Sequence, residues 1–130
     1  MEYPDRDAAL LAYAEGLEVS FEDASYALSN EGALESALAR PRNAAAYEGA
    51  DLVRQAATLF WGIASAHAFR DGNKRTAVVL LRAFLNVNDH ELELSEDERF
   101  SLALGVAGEH WTVDQVDAVL RPAVHVIAED

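Results

Sequence analysis

The sequence predicts an all-α fold, a compact single-domain bundle over residues 1–130 with about six helices around a central apolar helix near residues 73–88. Three observations predict it. Prolines and glycines are scarce, three and seven in 130 residues, so few positions break a helix. β-branched residues are scattered among many alanines and leucines rather than gathered in alternating runs. Apolar residues recur at three- and four-residue spacing, the period of a helix with one buried face. The length suits one ordinary domain, and a hydrophobic content of 51% is enough to build its core. No repeat, low-complexity tract or linker marks a second domain.

Each element follows from local signals. Asp5 can cap a first helix carrying Ala9, Leu10, Tyr13 and Leu17 on one face, with Gly16 near its end. Residues 18–29 read either as a short helix anchored on Phe21, Tyr26 and Leu28 or as an irregular connection. Asn30 can cap a short helix through Leu34 and Leu38, expected to stop before Pro41 because a residue preceding proline disfavours helical backbone. Residues 40–50, RPRNAAAYEGA, then read as an exposed connection. Asp51 opens a long helix whose stripe is Leu52, Ala56, Leu59 or Phe60, and Ile63, with His67 four residues beyond. Residues 69–72 break the pattern. Asn73 can cap TAVVLLRAFLNV, which is apolar on nearly every side and so belongs at the centre. HELEL, 90–94, alternates like a brief extended segment. Ser95 with Glu98, and Thr112 with Gln115, have capping-box spacing, so two more helices should begin there.

Composition narrows the function. The formal charge of −13 opposes non-specific binding to nucleic acid or anionic membranes. Such acidity with a single lysine suits a high-salt cytoplasm, although a GC-rich genome biases composition similarly. Absence of cysteine excludes disulfides, thiolate nucleophiles and Cys-based zinc sites. Glu2 and Asp5 follow Met1 without the basic and apolar stretches of a signal peptide, and no apolar run approaches the roughly 20 residues of a membrane span. The expectation is a soluble cytoplasmic domain.

Against this acidity, HAFRDGNKRT (67–76) gathers Arg70, Lys74 and Arg75 beside one acid, Asp71, and Lys74 is the only lysine. The backbone N–H groups of Gly72, Asn73, Lys74 and Arg75 are the unpaired donors of a helix start, which attracts anions. Gly72 would let the backbone approach an anion closely. Arg75 offers a planar fork for phosphate oxygens and Lys74 a compact charge. Asp71 makes sense beside an anion if it binds the Mg²⁺ that neutralises it. His67 can accept the proton of a hydroxyl attacking phosphorus. A histidine at a helix end is commonly structural, and Asp-Gly-Asn is commonly just a turn. Cations at a helix start, however, oppose the macrodipole by about 0.3–1 kcal/mol each, which speaks for a bound anion. The residues alone therefore read as a phosphate or Mg-nucleotide site.

This stretch resembles the signature of Fic/Doc proteins, H-x-F-x-[D/E]-[G/A]-N-[G/K]-R. His67, Phe69, Asp71, Gly72, Asn73 and Arg75 match it, and Lys74 matches the Doc branch where Fic enzymes carry glycine. TAVVLLRAFLNVN resembles the family's central helix and NEGALESALARPRN a stretch of Doc-like toxins, so the resemblance spans about residues 30–88. It implies a Fic/Doc-type bundle and the toxin of a Phd–Doc-type toxin–antitoxin pair. It also implies that His67 deprotonates a target hydroxyl, Asp71 holds Mg²⁺ and the loop cradles the phosphates of ATP. Fic enzymes transfer AMP, whereas Doc transfers the γ-phosphate to elongation factor Tu. Lys74 in the anion cradle would crowd a multi-phosphate pose and favour the single terminal phosphoryl group.

Two departures sharpen the reading. The second Arg that AMP-transferring members often carry three residues after the first is Val78 here. The pairs Glu15-Gly16, Glu31-Gly32 and Glu48-Gly49 have Leu11, Ala27 and Ala44 where a self-inhibitory [S/T]-x-x-x-E-[G/N] helix needs Ser or Thr. Restraint would then come from a separate Phd-like antitoxin laid into a groove. AMP transfer, and a catalytically silent binding module, are the alternatives. His90, His110 and His125 lack metal-ligand spacing and read as structural or surface groups. Arg40, Arg42 and Asn43 fall where Fic-like folds keep a target-docking flap, or in a solvated loop. Trp61 and Trp111 read as core.

Overall fold

Side-chain caps set most helix boundaries. The structure, a computed structural model, describes residues 1–108 and 110–128. Among them are seven α-helices: α1 (Arg6–Leu17), α2 (Phe21–Ala27), α3 (Glu31–Glu48), α4 (Leu52–Ser65), α5 (Asn73–Val87), α6 (Glu96–Gly108) and α7 (Val113–Leu120). Asp5, Ser20, Asn30, Asp51 and Thr112 each accept a hydrogen bond from a first-turn backbone N–H. Each such cap satisfies a donor the helix cannot pair itself, worth about 1 kcal/mol. Ser95 with Glu98 and Thr112 with Gln115 bond reciprocally, completing both expected boxes. The all-α class holds. Two three-residue strands, β1 (His90–Leu92) and β2 (Val124–Val126), pair antiparallel with Glu91 opposite His125.

Two expectations are corrected. Residues 18–29 are largely α2, capped by Ser20, which brings the helices to seven. α3 does not stop before Pro41 but continues to Glu48, so residues 40–48 are helix rather than exposed connection. A proline inside a helix removes one backbone bond and costs about 3 kcal/mol. Here Pro41 is buried in a helix packed along α4, and Ala44–46 behind it favour helix. Gly49, at φ 66, ends α3 in the left-handed conformation. Arg40, Arg42 and Asn43 thus lie within α3, not on a flap. The Arg40 guanidinium sits 4.9 Å from the Trp61 ring centroid and that of Arg42 sits 4.7 Å from Tyr3.

The core centres on the α4–α5 pair. α4 buries residues 55–60 and 62–64 and packs on α3, α5 and α7. α5 lies between α4 and α1 and buries Thr76, Ala77, Leu80, Leu81, Phe84 and Leu85, while Lys74 and Arg75 stay exposed at its start. Burying each such leucine or phenylalanine contributes roughly 1.5–3 kcal/mol. Trp61 is half-buried and donates its indole N–H to the Trp111 carbonyl at 2.7 Å. His90 bonds the Asn88 carbonyl through Nδ1, His125 lies 3.9 Å from Glu93, and His110 is exposed. No helix among the described residues is long and apolar enough to cross a membrane.

Candidate active site

Between α4 and α5 the chain turns through residues 66–72. Ala66 closes the last turn of α4 on the Gly62 carbonyl. His67 follows at φ 53, a left-handed conformation that costs an L-residue about 1–2 kcal/mol. Glu18, Asp89 and His110 share this conformation, so it does not by itself set His67 apart. The following residues are stitched to the α2–α3 junction. The Ala68 carbonyl accepts the N–H groups of Ser29 at 2.9 Å and Asn30 at 3.0 Å, and Arg70 N–H donates to the Ala27 carbonyl at 3.0 Å. Leu28 and Phe69 form an isolated antiparallel bridge.

Asn73 corrects an expectation. It does not cap α5. Its Oδ1 accepts the Phe69 N–H at 3.0 Å and its Nδ2 donates to the Phe69 carbonyl at 2.9 Å, a two-bond clasp across the turn. The cap position is Gly72, at φ 69. That left-handed backbone favours glycine, and a Cβ there would stand 2.7 Å from Leu17 Cδ2 on α1.

Gly72 supplies no side-chain cap. The first backbone bond of α5 runs from Thr76 N–H to the Gly72 carbonyl at 3.0 Å, leaving the N–H groups of Asn73, Lys74 and Arg75 ahead of it. Every other α-helix start is closed by a side chain, and this one is open. Arg70, Lys74 and Arg75 are exposed and, among the described residues, have no carboxylate within ion-pair distance. Arg6, Arg54 and Arg121 do pair, with Glu31, Asp114 and Asp51.

Asp71 is held from outside the motif. Its Oδ1 accepts the Tyr13 hydroxyl at 2.8 Å. Burial, and then this bond, push the Tyr13 hydroxyl up to about 12, so it remains a donor at any physiological pH. The Tyr13 ring stacks on the buried Phe69 with centroids 4.7 Å apart. Spacing marked Tyr13 only as a core residue. The signal that could have flagged it is a hydroxyl on an apolar stripe, which needs a partner once buried.

His67, Asp71, Gly72, Asn73, Lys74 and Arg75 line one open cleft of about 550 Å³, together with Arg70, Leu17 and Ala64. All the sequence-derived candidates therefore meet in one place, and Arg70 and Tyr13 are added to them. The open helix end and three cations suit an anion, the carboxylate a divalent cation, and the imidazole a proton. A family model described as Fic/DOC family matches residues 5–85. The chain belongs to the Fic/DOC family. No curated protein matches the sequence. The Fic/DOC match contains the whole cleft, from Leu17 on α1 to Arg75 on α5. Fic/DOC proteins transfer nucleotide or phosphate groups to proteins, and this membership carries a Fic-type protein-modifying function in general.

Proposed function

We propose that this Fic/DOC chain is a Doc-like toxin kinase of the cytoplasm that moves the γ-phosphate of ATP to a Ser or Thr hydroxyl of a translation protein such as elongation factor Tu. A separate Phd-like antitoxin would restrain it. One observation carries the reading: an uncapped helix start, three cations without an ion pair among the described residues, a carboxylate and an imidazole share one cleft. The amides of Asn73, Lys74 and Arg75 would bond phosphate oxygens, with the Arg75 fork and Lys74 charge around them. His67 takes the proton from the target hydroxyl. The hydroxyl oxygen bonds Pγ while the bond from Pγ to the bridging oxygen breaks, and ADP leaves with that electron pair. Asp71 would hold Mg²⁺ through the oxygen that Tyr13 leaves free. Among the described residues no cluster of three or more acidic or histidine groups could hold a metal, so its other ligands would be phosphates and water. Bound there, Mg²⁺ offsets phosphate charge that the carboxylate would otherwise repel.

Two details favour γ-phosphate over AMP transfer. Lys74 projects a long cation at the helix start, and Val78, one turn on, packs partly buried against the core and offers no second cation. As for restraint, Glu31, one of the three Glu-Gly glutamates, is already paired with Arg6.

Incubation with an elongation factor Tu-like target and ATP labelled at the α or the γ phosphate tests the proposal. The expected result is γ label alone on the target. Label should fall about 10²–10⁴-fold in His67→Ala, the range of a lost general base, and should weaken in Lys74→Gly. α label on the target would establish AMP transfer instead. Neither label, across plausible targets, would leave a binding module, and undiminished γ transfer by Lys74→Gly would remove Lys74 from the choice of chemistry.

A further inference from the structure

We propose that Tyr13 on α1 is a positioning residue for Asp71, tying one carboxylate oxygen so that the other is presented to the cleft as a ligand for a divalent cation. This rests on the Mg-nucleotide reading of the cleft. Asp71 sits in an exposed turn, where a carboxylate would normally sample several rotamers. Tyr13 is 6% exposed and has no such freedom. Its backbone belongs to α1, and its ring lies against Phe69 at an interplanar angle of 23°. Phe69 in turn is clasped on both backbone groups by Asn73. The hydroxyl is therefore a fixed point, 2.8 Å from Asp71 Oδ1, while Oδ2 has no hydrogen-bond partner among the described residues.

A purely structural role for the hydroxyl is redundant. The loop is already anchored by Ala68 to Ser29 and Asn30, by Arg70 to Ala27, and by Phe69 to Asn73. The ring stack needs no hydroxyl, and a phenylalanine would fill the same space without a buried polar atom to satisfy. What the hydroxyl adds is the direction of one carboxylate that lines the cleft. Groups that orient a metal ligand in this way typically change metal affinity about 10–100-fold when removed.

Calorimetric titration of a non-hydrolysable ATP analogue across a series of Mg²⁺ concentrations tests this. Tyr13→Phe should raise the Mg²⁺ concentration for half-maximal nucleotide binding by about tenfold or more, with nucleotide affinity in EDTA unchanged. In an Asp71→Ala background, Tyr13→Phe should add nothing, because its effect passes through that carboxylate. A wild-type Mg²⁺ midpoint in Tyr13→Phe would overturn the proposal and leave the reading of the cleft standing. An equal cost of Tyr13→Phe with and without Asp71 would also overturn it, making the hydroxyl structural. Wild-type nucleotide binding that ignores Mg²⁺ would remove the proposal together with the reading beneath it.

Discussion

His67, the proton acceptor proposed above, sets stability against function in one residue. Its left-handed backbone, at φ 53, costs about 1–2 kcal/mol that glycine would not incur. Glycine in turn loses about 0.5–1 kcal/mol more chain entropy on folding, so relief of strain should win by up to about 1.5 kcal/mol. His67→Gly is therefore expected to melt at a higher temperature than the wild type while losing transfer. A lower melting temperature would mean that the imidazole makes stabilising contacts and that the strain is not stored for chemistry. The candidate site was legible as one place because its residues are nearly contiguous: His67, Asp71, Lys74 and Arg75 fall within one short stretch and line one cleft. Partners were not. An asparagine that caps and an asparagine that clasps the chain behind it are the same letter, so Asn73 was misassigned. Tyr13 meets Asp71 across 58 positions, which no local spacing reveals.

At the scale of elements, caps were the dependable signal, since Asp5, Asn30, Asp51, Ser95 and Thr112 all open helices through short-range bonds written in the sequence. Pro41 misled because tertiary burial against α4 outweighed a local penalty. The strand β2 was missed because three residues are too few for alternation, and its partner lies far back in the chain. Asp51 illustrates how one cap couples elements: it closes the start of α4 and also pairs with Arg121 beyond α7. The Arg121 bond, then the Arg54 backbone N–H, lower its carboxyl from 3.8 to about 2. A depressed carboxyl contributes stability that is full above 3.8 and lost as pH falls through 2. With the carboxylate 58% exposed, screening holds this to about 1 kcal/mol or less. Asp51→Asn keeps a cap but cannot titrate. Urea midpoints should therefore show the wild type ahead of Asp51→Asn at about pH 5 and losing that lead at about pH 2.5. A constant difference would show that the ion pair contributes nothing.

The whole molecule carries −13, yet three cations without an ion pair among the described residues, Arg70, Lys74 and Arg75, meet at one cleft. Screening beyond about 8 Å at physiological salt keeps the overall repulsion from reaching a phosphate already in that cleft. A competing opening of about 500 Å³ includes Arg40 and Arg54, but Arg54 is paired with Asp114 and Arg40 rests on Trp61. Anion binding should therefore be confined to the start of α5. Titration with a non-hydrolysable ATP analogue and Mg²⁺, followed by backbone amide shifts over the whole chain, tests this most directly. The expected result is saturable shifts largest at the amides of Asn73, Lys74 and Arg75. Shifts centred on Arg40 and Arg54, or none that saturate at the start of α5, would contradict it.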